Sequence, residues 1–438
     1  MKMLQPTLTL IAILVLSAAC IAADESVAAN QPAADSPAVE AMSVPPLQTL
    51  WEAQAVLNAD RDKVAHIVND EDVVFVQSTA GVVTAINAET GREMWTTQVG
   101  RTDEVAMPAT SNAGIVMIVA GPKLYAMDKF TGRQLFSYRL NSQPAAGPVV
   151  TEGSFLVPLS DTSVAACSLK TLQYLERFQK LPSGVAQPIA WRFVTGEVIK
   201  AAPVAGASRC AFVTDTGNVF VVDVGGVQSG KSKFQFLLQS QPTAPLTLAS
   251  RDQEYLFAAA ANNRLYCIGL NTNGRMQWTY PLGQRVSEPI TVIGEDVFVV
   301  GDDGELMALG LKSGLPRQTT SGKPFVLNDV ETLVSVSENA VYVLDSSGRL
   351  LTVDRKTGEI VPKPDKVDKV DLTGLNVPIR NSVTDRLYLS STSGRVVCLK
   401  ESGVDFPIYH QNPKRSPIMP EIAEPAPAAA AEPVEENN

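Results

Sequence analysis

Few side chains in this sequence could serve as nucleophiles, general bases or metal ligands. The 438 residues include five cysteines and only two histidines. His66 and His410 stand near opposite ends of the chain, so the sequence indicates neither a nucleophile–base pair nor a metal site built on several histidines. No catalytic residue is predicted, and the scarcity of histidine is the strongest argument in the sequence against an enzyme.

Three of the five cysteines occupy one position of a repeated pattern. Cys167, Cys267 and Cys398 stand where other copies of the pattern have Ala85 and Ala126. That position requires a small apolar side chain, and a free cysteine packs as a small hydrophobe. We therefore expect the three thiols to be buried and, because they belong to different copies, unbridged.

A short acidic run, Asp302-Asp303-Gly304-Glu305, has the residue types of a cation site. Other copies of the pattern fill the same position with Ser-Ser-Gly or Thr-Ser-Gly, which is typical of a hairpin turn. Calcium requires six or more oxygen ligands that converge, so the turn is the favoured interpretation. Neither a metal ion nor a cofactor is predicted from these residues.

An internal repeat supplies the elements that would position any site. Residues 73–91 read VVFVQSTAGVVTAINAETG, and residues 341–358 read VYVLDSSGRLLTVDRKTG. Each copy is a β-rich run, a polar turn with glycine, a second β-rich run and a closing turn, which together predict a hairpin. Six copies are clear and two are degenerate; in chain order they cover residues 73–91, 115–132, 155–172, 211–230, 255–274, 297–314, 341–358 and 387–403.

The period of the repeat indicates the fold. The closing glycines are 41 residues apart between Gly91 and Gly132, and 45 apart between Gly358 and Gly403. In most copies a proline precedes a further short apolar strand, so each copy has four strands. This period and strand number are typical of propeller blades. We therefore predict an all-β fold, an eight-bladed β-propeller of four-stranded antiparallel blades.

The two ends of the repeat predict how the ring closes. Residues 50–54 around Trp51 resemble the fourth strand of a blade, as residues 94–97 around Trp95 do. The last copy has three clear strands and then Pro407 in the place of the fourth. We expect the N-terminal strand to close the last blade, which removes an exposed sheet edge.

The first hairpin ends in a motif that resembles a known family. Residues 85–95 read AINAETGREMW, which resembles the tryptophan-docking motif Ala-x-Asp/Asn-x-x-Thr-Gly-x-x-x-Trp of PQQ-like repeats. Residues 126–136 match it again, with Phe136 in place of tryptophan, and residues 354–358 keep part of it. Over residues 47–403 the chain therefore resembles the PQQ-like repeat β-propeller family.

Two kinds of protein in that family have different functions. Quinoprotein dehydrogenases bind PQQ in the central channel, usually with Ca²⁺, and many use a pair of adjacent cysteines, whereas no two cysteines of this chain are adjacent. Outer-membrane protein assembly factors of the BamB type are exported eight-bladed propellers without enzymatic activity. The chain is similar to the second kind in size, export signal, blade count and ring closure.

The resemblance implies a non-enzymatic scaffold at the cell envelope, with protein partners such as an outer-membrane barrel-assembly complex. Two alternatives stay open, a PQQ-dependent periplasmic oxidoreductase and a propeller that senses a ligand in its channel. The net charge of −10 argues against nucleic acid as a partner, because a phosphate backbone attracts a basic face.

The N-terminus has the pattern of an export signal. Residues 1–23 contain Lys2, an apolar run and then small residues, which predicts a secretory signal, with an uncleaved anchor as the alternative. Cys20 follows two alanines and is a candidate for lipidation, although Ser17 stands where lipoprotein signals usually have leucine; ordinary cleavage without a lipid is the alternative. We expect an exported protein in the periplasm or at the periplasmic face of the outer membrane.

Composition separates the propeller from two flanking segments. Residues 24–46 are rich in alanine and proline and are predicted to form a disordered linker, and residues 410–438 a disordered Pro/Ala/Glu tail. Residues 47–409 remain for the propeller. The membrane is reached only by a lipid anchor if Cys20 carries one.

One insertion is the candidate contact surface. The longest departure from the repeat, residues 181–202, contains Trp191, Arg192 and Phe193. Aromatic side chains beside arginine are typical of interaction hot spots. We predict that these three residues contact a protein partner; the alternative is that Trp191 and Phe193 pack on the rim of the propeller.

Overall fold

The described part of the chain is almost entirely β-structure. The computed structural model describes residues 44–58, 61–178, 189–225, 228–361, 366–367, 370–375, 377–412 and 415. All of them belong to one compact unit, Ser43–Asn438. Within these residues the strands form eight four-stranded antiparallel sheets and one two-stranded hairpin. The predicted all-β, eight-bladed propeller is confirmed.

Blades one to four follow one another along the chain. The first strand, β1 (Leu47–Gln54), precedes them and is part of blade eight. Blade one contains β2 (Val64–Asn69), β3 (Val73–Ser78), β4 (Val82–Asn87) and β5 (Glu93–Gln98). Blade two contains β6 (Thr110–Ser111), β7 (Ile115–Ala120), β8 (Lys123–Asp128) and β9 (Gln134–Arg139). Blade three contains β10 (Val149–Val150), β11 (Ser154–Leu159), β12 (Ser163–Ser168), the helix α1 (Leu169–Arg177) and β13 (Ile189–Val194). Blade four contains β14 (Val204–Ala205), β15 (Arg209–Val213), β16 (Asn218–Asp223) and β17 (Ser232–Leu237).

Blades five to eight continue the same order. Blade five contains β18 (Thr247–Ser250), β19 (Glu254–Ala260), β20 (Arg264–Gly269) and β21 (Arg275–Pro281). Blade six contains β22 (Thr291–Ile293), β23 (Asp296–Val300), β24 (Leu306–Gly310) and β25 (Val326–Leu327). Blade seven contains β26 (Val330–Val336), β27 (Ala340–Asp345), β28 (Leu350–Asp354) and β29 (Ile360–Val361). After a hairpin of β30 (Lys366–Val367) and β31 (Val370–Asp371), blade eight contains β32 (Val377–Pro378), β33 (Leu387–Ser390) and β34 (Arg395–Glu401).

The missing fourth strand of blade eight is β1, from the other end of the chain. β1 pairs antiparallel with β34, from Leu47 opposite Glu401 to Gln54 opposite Arg395. Trp51 lies opposite Cys398 in this pairing. The predicted closure of the last blade by the N-terminal strand is confirmed, and it leaves the third strand of that blade with a partner on both sides.

The first strand of each blade lies nearest the axis of the ring. First strands of neighbouring blades contact one another, as β6, β10, β14 and β18 do, and the fourth strands form the rim. Because successive strands are antiparallel, the connections of each blade alternate between the two ends of the ring. We call the end with the connections between first and second strands the turn end, and the other the loop end.

The docking motif forms the turn that follows the third strand of a blade. The side chain of its asparagine stabilises this turn. The side-chain oxygen of Asn87 accepts hydrogen bonds from the backbone N–H groups of Glu89 and Thr90, at 3.1 and 2.9 Å. Gly91 then has a φ of +68°, which glycine adopts at little cost. A Cβ on Gly91 would lie 2.5 Å from Cγ of Trp51, so the glycine also makes room for the indole ring.

Tryptophans on the rim strands of blades eight, one and five fasten these blades to the ones that follow them. In three described cases the indole N–H donates a hydrogen bond to a backbone carbonyl in the closing turn of the following blade. The pairs are Trp51 with Ala88 at 2.9 Å, Trp95 with Lys129 at 2.8 Å and Trp278 with Leu311 at 2.7 Å. The motif recognised in the sequence is therefore the joint between blades.

The helix α1 is an insertion that the sequence analysis did not predict. It follows Ser168, whose hydroxyl oxygen accepts a hydrogen bond from the N–H of Thr171 as an N-cap. Leu169 and Leu172 are buried between blades two and three, while Tyr174 and Phe178 are exposed. In blade three the helix takes the place of the short closing turn that other blades use.

Candidate partner-binding surface

The predicted contact residues lie on β13, the rim strand of blade three. In its pairing with β12, Trp191 is opposite Ala166, and Arg192 is opposite Ala165. Side chains alternate along the strand, so Trp191 and Phe193 are half-buried and Arg192 is exposed. The structure brings the three residues together on one strand but directs them to two sides of it.

The two aromatic rings face blade four. A Cβ on Gly230 would lie 2.6 Å from Cγ of Trp191, so this indole docks on a closing glycine as the other rim tryptophans do. The ring centroid of Phe193 lies 5.5 Å from that of Phe212 and 5.4 Å from that of Phe220. These contacts are those of the packing alternative, and contact of either ring with a partner stays a prediction.

Arg192 is the member of this group that lies open to solvent. Its side chain is 45% exposed, forms an ion pair with Asp161 and donates a hydrogen bond from Nε to the hydroxyl of Ser163 at 2.9 Å. Because a solvent-exposed ion pair contributes little to stability, exchange of Asp161 for a carboxylate of a partner costs little. The guanidinium group is held in place without being covered.

An exposed aliphatic side chain accompanies Arg192 on its side of β13. Val194, two residues further along the strand, is 64% exposed. This side faces away from blade four, because Trp191 and Phe193 occupy the side that packs against it. Exposed apolar side chains with polar neighbours are typical of protein contact sites. We call Arg192 and Val194 the β13 edge.

Glu197 holds the loop after β13 against blade four. Its carboxylate accepts hydrogen bonds from the hydroxyls of Thr214 and Thr216, both at 2.6 Å, and from the amide nitrogen of Asn218 at 3.0 Å. These bonds, that of Thr214 first, lower the pKa of Glu197. Nothing in the sequence marks this residue, because its partners have the composition of an ordinary turn.

The four described cysteines are buried free thiols, and none of them forms a disulfide. They are Cys167, Cys210, Cys267 and Cys398. Burial raises the pKa of Cys167 and of Cys267 to about 12. Since the thiolate is the nucleophile, thiols with such pKa values are unreactive at neutral pH.

Register corrects one equivalence drawn from the sequence. Cys267 lies opposite Trp278 on the rim strand, which is the position that Ala85 has opposite Trp95. Cys167 instead lies one residue beyond that position, opposite Ile189. Assigning Cys167 to the position of Ala85 was wrong by one residue, because the third blade carries a helix where the other copies carry the motif.

We expect thiol reagents at pH 8 to label none of the four described cysteines in the native chain, because burial raises the pKa of each thiol well above its usual range and the thiolate is the reactive form. Mass spectrometry after iodoacetamide treatment measures this. Unfolding in guanidinium should expose all four, and Ser393→Cys, in an exposed hairpin turn, is the native-state positive control. Rapid native labelling of any of the four would contradict the burial.

The acidic run lies in a hairpin turn, as expected. Asp302 accepts hydrogen bonds from the backbone N–H and the hydroxyl of Ser287, both at 2.8 Å, and Gly304 has a φ of +85°. Among the described residues no group of three or more His, Cys, Asp or Glu is arranged to hold a metal ion. The described residues therefore do not fit the calcium site that accompanies PQQ in the dehydrogenases of this fold.

Comparison with known proteins places the ring in a family. The family model described as outer membrane protein assembly factor BamB matches residues 39–120, 79–229 and 215–404. The chain belongs to the BamB family. The resemblance to PQQ-like repeat propellers of the BamB type, drawn from the docking motif, is thereby confirmed.

Two BamB proteins are similar to most of the chain. BamB from Shewanella oneidensis is 22% identical over 338 residues, which are 76% of this chain and 70% of that protein. BamB from Salmonella typhimurium is 24% identical over 327 residues, which are 70% of this chain and 77% of that protein. A polyvinylalcohol dehydrogenase from a Pseudomonas species is 29% identical over 147 residues, but these are 30% of this chain and 21% of that enzyme.

Solved structures show the same fold. The crystal structure of BamB from Moraxella catarrhalis superposes with a TM-score of 0.56 and 18% identity, over 82% of this chain and 98% of that chain. The designed protein Ika8 superposes with a TM-score of 0.54 and 15% identity, over 80% and 99%. The chain therefore shares its fold with both structures.

Several predictions fall on residues that the structure does not describe. Residues 1–23 with Cys20, residues 24–43 of the linker, and the tail from residue 416 onward lie outside the described residues. In the described part of the chain, no helix combines the length and the hydropathy needed to cross a bilayer.

Proposed function

We propose that this chain is a non-enzymatic scaffold that assists the assembly of outer-membrane proteins from the periplasmic side. The observation that carries the proposal is the BamB family match, which extends over residues 39–404 and so includes all eight blades. The two similar curated proteins are named as outer membrane protein assembly factors. The ring offers rigid strands that hold loops in fixed positions, which suits a binding scaffold.

Export and anchoring are part of this proposal. The signal pattern in residues 1–23 would deliver the propeller to the periplasm, and a lipid on Cys20 would hold it at the membrane surface. Intact-mass analysis of protein purified from membranes distinguishes a lipidated Cys20 from ordinary cleavage and from an uncleaved anchor. Cys20→Ser should move the protein to the soluble periplasmic fraction if the lipid is the anchor.

The β13 edge is our proposed contact for a protein partner. It offers one exposed guanidinium group at Arg192 and one exposed aliphatic side chain at Val194 on the same side of the strand. Arginine beside apolar side chains is favoured at the centre of interfaces because it binds carboxylates in a fixed geometry while its neighbours exclude water. A partner segment with an acidic residue next to apolar ones fits this surface.

We expect the double variant Arg192→Ala with Val194→Asp to lose most partner recovery while its melting temperature stays close to that of the parent. Both side chains point away from the core of blade three, so their replacement leaves the packing of Trp191 and Phe193 intact. The measurement is cross-linking in the intact envelope, followed by affinity purification and mass spectrometry. Loss of a hot-spot residue typically weakens binding by about 2 kcal/mol or more, roughly thirtyfold.

The matched control replaces a similar pair on another blade. Arg275→Ala with Met276→Asp changes an exposed arginine and an exposed aliphatic side chain on the rim strand β21 of blade five. Equal partner loss in both double variants would contradict a specific role for the β13 edge. Recovery of no outer-membrane assembly component from the parent protein would contradict the proposed function itself.

The alternative of a PQQ-dependent oxidoreductase rests on the short similarity to polyvinylalcohol dehydrogenase. Purified protein mixed with PQQ and Ca²⁺ tests it through quinone absorbance and dye reduction. On the scaffold proposal neither signal rises above that of the buffer. A melting temperature that increases with PQQ alone would instead favour a ligand-sensing channel.

A further inference from the structure

The chain beyond blade eight does not leave the propeller at once. Strand β34 ends at Glu401, and the following residues up to Asn412, together with Arg415, lie at the turn end of the ring. We call residues 403–412 with Arg415 the strap. Composition alone assigned residues 410–438 to a disordered tail, whereas the described members of that range contact the blades.

The strap first follows blade eight. The backbone N–H of Ile408 donates to the carboxylate of Asp385 at 2.9 Å, and that of His410 donates to the carbonyl of Val383 at 2.8 Å. Between them Tyr409 forms an antiparallel bridge with Thr384 and is 1% exposed. The strap is thus seated through its backbone, as an added strand would be.

It then reaches two further blades. Arg251 in the connection between β18 and β19 of blade five donates from Nη1 to the side-chain oxygen of Gln411 at 3.0 Å. Arg415 donates from Nη2 to Asp72 at 2.7 Å, and its Nη1 lies 3.5 Å from the carboxylate of Glu71. Both acids belong to the connection between β2 and β3 of blade one.

The positions of these contacts determine the path of the strap. In a ring of eight, blade one and blade five lie on opposite sides of the axis. The connections between first and second strands surround the axis because the first strands are the innermost ones. A segment bound to such connections in blades one, five and eight has to pass over the axis.

We propose that the strap crosses the ring and covers the axis at the turn end. The covering element is a segment of this chain, bound through its own backbone at blade eight, through Arg251 of blade five at Gln411, and through its own Arg415 at blade one.

The side chain of His410 supports this placement. Burial lowers the pKa of His410 to about 4, and Arg355 of blade seven and Arg251 of blade five add to the effect. The backbone groups that interact with the imidazole of His410 belong to Thr384 of blade eight and Val336 of blade seven. One imidazole is therefore surrounded by groups from three blades, which is what a position near the axis requires.

A cross-linking experiment tests the crossing on the full chain. Arg251→Cys with Gln411→Cys reports the contact with blade five, and Glu71→Cys with Arg415→Cys reports the contact with blade one. A short bis-maleimide should link each pair, since tethered groups held close have a high effective concentration. The four described native cysteines are buried and do not compete.

The matched control pairs the strap with the loop end. Lys63→Cys with Gln411→Cys places the second thiol just before β2, at the other end of blade one. We expect intramolecular linkage of both test pairs to exceed that of the control by about tenfold or more. If either test pair links no faster than the control, the strap does not cross the axis and the proposal is overturned.

Hydrogen exchange gives a second measurement that needs no linkage. Arg251→Ala with Arg415→Ala should speed exchange of the amides of Ile408 and His410 by about tenfold or more, because the strap loses both distant attachments. Arg101→Ala with Arg285→Ala, which removes two exposed ion pairs away from the strap, is the control. Unprotected Ile408 and His410 amides in the parent chain would also overturn the proposal.

Discussion

Replacing Trp95 with alanine should lower the free energy of unfolding by about 3–5 kcal/mol, the usual range for deleting a large aromatic side chain from a core. Trp95 is 8% exposed, lies 6.1 Å from Phe75 between ring centroids, and donates its indole N–H to the carbonyl of Lys129 at 2.8 Å. Its loss leaves a cavity between blades one and two and an unpaired carbonyl.

A second variant at Trp95 separates the contribution of the hydrogen bond from that of the packed ring, and a variant at Arg92 is the control. Trp95→Phe keeps an aromatic ring but loses the hydrogen bond, and we expect a smaller loss, of the order of 1–3 kcal/mol. Arg92→Ala, an exposed position just before the same strand, should change stability by no more than about 0.5 kcal/mol. Urea titration followed by circular dichroism measures all three, and a loss below about 1 kcal/mol in Trp95→Ala would contradict the docking role.

The second large effect is expected at Lys129, where Lys129→Met should destabilise the chain by about 3–5 kcal/mol, the range for removing one partner of a buried ion pair. The Lys129 side chain is 1% exposed, and its ammonium group lies 2.8 Å from the carboxylate of Asp70 and 2.9 Å from that of Asp72. Methionine fills a similar volume but leaves Asp70 without this buried cation and Asp72 with Arg415 alone.

A double-mutant cycle shows whether the charges are coupled. Lys129→Met combined with Asp72→Asn should cost less than the sum of the single variants, with an interaction energy of about 1–3 kcal/mol. Lys170→Met, at an exposed position of α1, is the matched control and should be nearly neutral. Additive effects in the cycle would contradict a direct pairing across blades one and two.

Both predictions concern joints between neighbouring blades. Both involve Lys129 in the closing turn of blade two, because its carbonyl accepts the indole hydrogen bond of Trp95 and its ammonium group pairs with Asp70 of blade one. A propeller has no single core, and its stability depends on such nearest-neighbour joints. Weakening one joint therefore affects the whole closed ring.

Part of this architecture was readable from the chain alone. The repeat predicted eight blades, four strands in each and closure by β1, because hairpin turns, β-rich runs and closing glycines are local signals that recur. The docking motif was also recognised at residues 85–95, since its asparagine, threonine and glycine interact with one another within a few residues.

Blade three has features that the local sequence signals do not predict. Its third strand is followed by α1 in place of the motif, and this shifts Cys167 by one position relative to the equivalence assumed from sequence. Composition also marked Trp191 and Phe193 as possible contact residues. Whether a side chain on a rim strand faces the next blade or solvent depends on strand register, which the helix obscures.

The amino-acid sequence by itself determined the number of blades, their strand order and the turns that close them, because these features depend on residues close together in the chain. Only the tertiary structure decided that Trp191 docks on Gly230, that Arg192 stays exposed, and that Arg415 binds Asp72. Each of these contacts joins residues far apart in the sequence, or depends on the side of a strand that faces a neighbour. Their energies arise from burial and charge pairing between residues that are brought together only when the chain packs into its blades.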